Sequence, residues 1–153
     1  KSKGKIINIS SVSGKRAYPF VAPYSSSKFA LEAFSDSLRR ELIIYGIDVI
    51  LIEPGPIKTA IWDKTPDPNK NQFIGTDYES SLKIFYKLVI AMGKKGLDPD
   101  VIANRVKLVL ETNKPSTRHI ITPNRLLNYT IAGILPTRLY DKIIAKGFGM
   151  LMK

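Results

Sequence analysis

The chain has 153 residues, of which 44% are apolar, and a formal net charge of +11, with one histidine and no cysteine. A domain of about that length buries roughly 70% of its unfolded surface, enough for one real core. The composition excludes disulfides and thiolate metal sites and leaves a Ser/His/Asp hydrolase or a zinc protease almost nothing to work with, while basic residues scattered without a long run argue against nucleic acid.

Residues 5 to 10 alternate β-branched and small polar side chains and predict a buried strand, with Lys1 to Gly4 as the loop entering it. The strand ends on a serine-rich turn, Ser10-Ser11-Val12-Ser13-Gly14. Residues 12 to 23, with Gly14, Pro19 and Pro23, predict a loop that carries Ser11 and Tyr24 to a common site. From about Tyr24 to Tyr45 the pattern turns helical, with Leu31, Phe34, Leu38, Leu42 and Tyr45 as one apolar stripe. Glu32, Asp36, Arg39 and Arg40 occupy the other side, Asp36 and Arg40 being four apart in the favourable order. Gly46 supplies the stop.

Ile47 to Glu53 is a near-continuous apolar run closed by Pro54-Gly55, the pattern of a parallel strand covered on both faces. Strand, helix and strand at this spacing make a βαβ unit. Ligands of such sheets bind beyond the carboxyl ends of the strands, where Ser11 and Pro54 to Thr59 would lie.

Residues 60 to 98 begin irregularly and turn helical from about Tyr78 to Met92; a long interruption there reads as a functional flap. Its aromatics, Trp62, Phe73, Tyr78, Phe85 and Tyr86, line an apolar substrate pocket or, for the helical ones, belong to the core. Asp98-Pro99 is an N-cap followed by proline, opening a helix that ends near Glu111. Arg118 to Thr122 predicts a last strand, with His119 as a strand residue rather than a ligand. Asn124 to Lys153 predicts two short helices broken at Pro136, apolar with Arg125, Arg138, Lys142 and Lys146 interspersed. This tail reads as a lid or subunit contact; the alternative is a basic amphipathic helix touching a membrane surface. No apolar stretch approaches the roughly 18 residues of a membrane span.

The chemistry concentrates in Tyr24-Ser25-Ser26-Ser27-Lys28, where residues four apart on a helix place an ammonium beside a phenol and favour its ionised form. A free tyrosine has a pKa of about 10, so a neighbouring cation is the simplest way to make the phenol a useful proton carrier. Each residue alone has a plainer reading. Ser11 could be a turn or cap residue, Tyr24 a half-buried aromatic with Lys28 snorkelling past it, and Pro54-Gly55 a simple chain reversal.

Taken jointly, Ser11 and Tyr24-x-x-x-Lys28 resemble the active site of the short-chain dehydrogenase/reductase family. Gly4-Lys5-Ile6-Ile7-Asn8-Ile9-Ser10-Ser11 looks like that family's strand leading to the catalytic serine. Ile50-Leu51-Ile52-Glu53-Pro54-Gly55-Pro56-Ile57-Lys58-Thr59 looks like its later strand and nicotinamide-side loop. The wording around Tyr24, over residues 19 to 24 and 29 to 36, looks closest to the branch that includes retinol and hydroxysteroid dehydrogenases.

The resemblance implies an α/β fold, the C-terminal part of a Rossmann-type doubly wound parallel sheet with a helical substrate-loop insertion and a helical C-terminal tail. Residues 1–123 would be the C-terminal portion of the dehydrogenase domain, with 60–98 as its substrate-binding loop and helix, and 124–153 a helical extension. It implies an NAD- or NADP-dependent enzyme interconverting an alcohol and a carbonyl on a hydrophobic substrate, steroid-, retinoid- or lipid-like. A 3-oxoacyl-carrier reductase and a non-catalytic cofactor-binding member of the fold are the rivals.

By the same resemblance, Tyr24 moves the proton, Ser11 hydrogen-bonds the same oxygen, and Lys28 holds the nicotinamide ribose beside Tyr24. Pro54, Gly55, Ile57 and Thr59 flank the nicotinamide, and Ser11, Ser13 and Trp62 meet the substrate. No metal is implied. The family's glycine-rich first turn is not among these residues, so the chain resembles the C-terminal half or somewhat more of such an enzyme and is expected to be inactive alone. A small hydrophobic alcohol or ketone as substrate, a homo-oligomer at full length and a cytoplasmic place, with membrane association as the alternative, complete the expectation.

Overall fold

The computed structural model describes residues 3–64, 67, 72–123, 125, 130 and 134–151, and its chain forms two compact units, Lys1–Gly55 with Leu97–Arg125 and Pro56–Gly96 with Leu126–Lys153. The first unit holds strands β1 (Lys5–Ile9), β2 (Asp48–Pro54) and β3 (Arg118–Ile121) and helices α1 (Ala22–Glu41) and α3 (Pro99–Glu111). The second holds α2 (Glu79–Lys94) and α4 (Thr137–Gly147).

The three strands are parallel in the order β1-β2-β3, with Asn8 opposite Leu51 and Leu51 opposite Arg118. Side chains alternate between faces along a strand, so this register sorts the sheet into two unlike surfaces. Ile7, Ile50, Ile52 and Ile121 face α3 and join Val109, with Ile102, Val106 and Leu97 packed around them. Each such fully buried side chain contributes on the order of 1.5–3 kcal/mol. Asp98 caps the start of α3 by accepting from the Asp100 amide at 3.0 Å. At the other end of α3, the Lys5 ammonium donates to the carbonyls of Val109, Leu110 and Thr112 at 2.6–3.0 Å, a cation on the negative end of the helix.

The opposite face carries Asn8, Glu53 and Arg118, and α1 packs there with Ser25, Glu32 and Ser35 as its buried residues. The apolar stripe expected of α1 is therefore not its inner face. Phe34 and Tyr45 are each 59% exposed and Leu31, Leu38 and Leu42 only half-buried. The physical reason is that Glu32 and Asp36, expected outside, meet a cation on the sheet, and small serines let the helix come close. Ser35 accepts from the Asn8 amide at 2.8 Å and donates to the Leu31 carbonyl at 2.7 Å. Asp36 pairs with Arg39 at 2.7 Å rather than with Arg40. A 3-10 turn, Leu42–Tyr45, then runs into Gly46, which takes the left-handed conformation at φ 63° and stops the helix.

In the second unit the amide of Gly75 donates to the Glu79 carboxylate at 2.7 Å, opening α2, and Leu82, Phe85 and Phe148 are its buried apolar residues. The Phe85 ring stands 5.7 Å from Tyr86 and 6.1 Å from Phe148. Of the two tail helices expected from the sequence, the one after Pro136 is α4, and the one before it lies largely outside the described residues.

The seam between α1 and the sheet is closed by Arg118. Its Nη1 contacts Glu32 and lies 2.9 Å from Glu53 Oε1, its Nη2 lies 2.8 Å from Asp36 Oδ1, and Lys15 Nζ approaches Glu32 at 3.1 Å. Burial by itself would raise the Glu32 pKa, but Ser10, Arg118 and Lys15 outweigh it and hold the carboxyl below its ordinary 4.5. Asp36 is likewise held below 3.8, burial being outweighed by Arg118 and Arg39. Burial would lower Arg118, yet Glu32 and Glu53 raise it further above its already high range.

Carboxyls with depressed folded pKa values stabilise fully above their unfolded values and lose that contribution as pH falls through the folded ones. Denaturant midpoints of the protein carrying this chain should therefore be level above about pH 5 and fall as pH drops below about 4.5. Arg118→Met should cost on the order of 3–5 kcal/mol at neutral pH and flatten that acid slope. An unchanged slope in the variant would show that other groups cause the acid loss.

Candidate active site

At the carboxyl end of β1 the ladder continues one bond further, Ser10 N–H donating to the Ile52 carbonyl at 2.8 Å, and the chain then turns. Ser11 caps the 3-10 turn Val12–Gly14, its Oγ accepting from the Ser13 amide at 3.1 Å. The Ser11 hydroxyl donates to the Pro54 carbonyl at 3.4 Å, which spans the ends of β1 and β2. Gly14 is buried against α1. A Cβ there would stand 2.9 Å from Glu32 Cγ, 3.0 Å from Ser10 Oγ and 3.1 Å from the Lys28 carbonyl. Only glycine lets the serine turn close on the helix at that level.

Tyr24 lies in the first turn of α1 and is 48% exposed. Lys28 lies one turn on, its ammonium 5.9 Å from the Tyr24 ring centroid. The same ammonium donates to the Ile9 carbonyl at 3.1 Å, two residues before Ser11. Helix pair and serine strand end are thus tied by one side chain. The loop entering α1 contains Phe20 at φ 68°, the one non-glycine residue with positive φ among those described, a conformation that costs an L-residue about 1–2 kcal/mol.

At the end of β2, Gly55 N–H donates to the Ile121 carbonyl at 2.8 Å, and a Cβ on Gly55 would fall 2.4 Å from Thr122 Oγ1. The close passage of this loop past β3 requires glycine. Ser11, Ser13, Tyr24, Lys28, Pro54 and Gly55 all belong to the first unit, whereas Ile57, Thr59 and Trp62 belong to the second. There the Trp62 indole N–H donates to the Ile57 carbonyl at 2.6 Å and its backbone N–H to the Thr59 carbonyl at 3.5 Å. A Cβ on Gly93 would overlap the indole at 2.3 Å, so Trp62 is seated flat on α2.

His119 Nε2–H donates locally to the Ser116 carbonyl, 2.9 Å away, and burial holds its pKa below 6.5. No group of three His, Cys, Asp or Glu among the described residues could hold a metal ion. Sequence reasoning missed the Glu32, Glu53 and Arg118 contacts. The available signal was Glu53 itself: a carboxylate inside an apolar central strand needs a cation on a neighbouring element.

The family model for short chain dehydrogenase matches residues 1–70. An NADPH-dependent 3-dehydrocapnine reductase of Ornithobacterium rhinotracheale is 42% identical over 146 residues, covering 95% of this chain and 51% of the relative. Retinol dehydrogenase 16 of Homo sapiens is 34% identical over 158 residues, covering 94% of this chain and 48% of the relative. Among solved structures, a short-chain dehydrogenase from Streptomyces avermitilis superposes with a TM-score of 0.60 at 25% identity, over 93% of this chain and 48% of that one. The chain spans about half the length of the curated relatives it matches.

Proposed function

This chain belongs to the short-chain dehydrogenase/reductase family, and we propose that the protein carrying it is an NAD(P)-dependent oxidoreductase interconverting an alcohol and a carbonyl. The observation that carries the reading is the Lys28 ammonium, which stands beside Tyr24 and grips the strand end leading to Ser11. An ammonium has three N–H donors, and one is used on Ile9. The other two suit the hydroxyls of a nicotinamide ribose, and the half-exposed Tyr24 phenol is open to substrate. The dinucleotide, when bound, supplies the hydride.

This chain's residues handle the oxygen and its proton. Tyr24 passes a proton from its phenol oxygen to the carbonyl oxygen in reduction and takes it back in oxidation. The Ser11 hydroxyl, whose own proton goes only to a long bond on the Pro54 carbonyl, turns that proton to the same oxygen and stabilises the charge developing there. Lys28 holds the ribose next to the phenol, while Pro54, Gly55, Ile57 and Thr59 supply the backbone and hydroxyl groups flanking the nicotinamide. The relative named as an NADPH-dependent reductase supports the cofactor class.

In the enzyme carrying this chain, Tyr24→Phe should lower turnover by about a hundredfold or more, since positioned proton transfer is worth 10²–10⁴ in rate. Dinucleotide affinity should hardly change. Lys28→Ala should damage both. Steady-state turnover with equilibrium dinucleotide binding checks this, and near-normal turnover in Tyr24→Phe would sink the mechanism.

The substrate we infer is hydrophobic, steroid-, retinoid- or lipid-like, met by Ser11, Ser13 and Trp62. Relatives named for retinol and for estradiol support this class. Across a ladder of ketones, kcat/KM should rise with chain length, each buried methylene adding about 0.8 kcal/mol, and Trp62→Ala should reorder the ladder. If short polar ketones win, a 3-oxoacyl-carrier substrate takes first place.

We also infer a peripheral membrane contact through α4. Leu139 and Ile143 are about half exposed on it, and Arg138, Lys142 and Lys146 lie along the adjoining side. No helix among the described residues is long and apolar enough to cross a membrane. Sedimentation with anionic but not zwitterionic vesicles is expected, lost in Ile143→Asp. Equal recovery with both vesicle types, or none, would remove the contact.

A further inference from the structure

We propose that Arg118 is a positioning residue of the active site, its guanidinium setting the seat of α1 on the sheet and thereby the placement of Tyr24 and Lys28 against the Ser11 strand end. The inference rests on the proposed roles of Tyr24 and Lys28, which Arg118 itself does not touch.

Three observations carry it. First, the guanidinium grips both bodies that must stay in register: Glu32 and Asp36 on α1, and Glu53 on β2. Second, these contacts lie next to the site. Glu32 is one helical turn beyond Lys28 and abuts Gly14 of the serine turn, and Glu53 immediately precedes Pro54, whose carbonyl accepts from Ser11. Third, the other ties across this seam among the described residues, Asn8 to Ser35 and Lys28 to the Ile9 carbonyl, are single hydrogen bonds. The other buried residues of α1 are Ser25 and Ser35, which offer little apolar area, and the Ser25 hydroxyl has no hydrogen-bond partner among the described residues.

Apolar packing is non-directional and would let the helix slide or roll, whereas a guanidinium fork fixes distance and angle together. The wider network adds stiffness. Lys15 approaches Glu32 from the serine loop, and Arg39 holds Asp36 from the helix's next turn. A displacement of α1 by about 1 Å would move the Tyr24 phenol and the Lys28 ammonium together, enough to cost about a hundredfold in rate.

The test uses the enzyme carrying this chain with Arg118→Lys, which keeps the charge and loses the fork, beside Lys5→Met, which unpins α3 on the opposite face of the sheet. Both are assayed at a temperature where unfolding curves show them folded. Lys5→Met should lose stability and keep kcat within about twofold, whereas Arg118→Lys should lose about tenfold to a hundredfold in kcat and weaken dinucleotide binding.

Because Arg118 acts through Lys28, adding Arg118→Lys to Lys28→Ala should weaken dinucleotide binding no further, a non-additivity that a merely structural residue would not show. If Arg118→Lys fails to fold, Asp36→Asn carries the same cycle with a smaller drop in kcat. A kcat in Arg118→Lys, or in Asp36→Asn when it stands in, no lower than in Lys5→Met, or full additivity with Lys28→Ala, overturns the proposal. That outcome leaves the proton-transfer reading intact, since Tyr24→Phe tests it separately; a Tyr24→Phe enzyme with normal turnover would remove that reading instead.

Discussion

A carboxylate with no solvent exposure sits in the central strand of this sheet, and the first unit is arranged around keeping it paired. Glu53 is the penultimate residue of β2, between Ile52 and Pro54, and burying such an ion unpaired would cost several kcal/mol even after relaxation. Its cation arrives from β3, and only one register delivers it. With Leu51 opposite Arg118, the guanidinium lies on the same face as Glu53; a slip of one residue would turn it toward α3 and present His119 instead. The charge therefore specifies how β3 pairs, which the apolar residues alone would leave loosely defined.

The two faces of the sheet divide stability from specificity. On the α3 side, Ile50, Ile52, Val109 and Ile121 make an ordinary apolar core, and Lys5 ties the end of the helix to the first strand. On the α1 side, serines, a glycine and a charge network replace large apolar groups. This arrangement contributes less burial per residue and fixes geometry more tightly, and it lies under the helix that carries Tyr24 and Lys28. Ser11, Tyr24 and Lys28 stand at the carboxyl end of β1 or on that helix, where a parallel α/β sheet presents its ligands.

What could be read from the sequence follows from how local each signal is. Tyr24 and Lys28 are one turn apart, so their proximity needs no tertiary information, and the apolar run before Pro54 announces a covered strand by itself. The orientation of α1 could not be read in the same way. Charges were expected outward because most are, yet Glu32 and Asp36 turn inward to a partner 86 and 82 residues away, at a separation no periodicity encodes. Trp62 shows the same limit. Its aromatic bulk after a loop suggested a pocket wall, while the glycine that accepts its indole lies on α2, thirty-one positions later, as the numbering of Trp62 and Gly93 shows.

The second unit has its own apolar contacts, with Leu82, Phe85 and Phe148 buried and Trp62 resting on Gly93. The ion pairs of Arg118 with Glu32, Asp36 and Glu53 belong to the first unit. The first unit is held by charge under α1 and by aliphatic packing under α3, the second by aromatic and aliphatic contacts around α2.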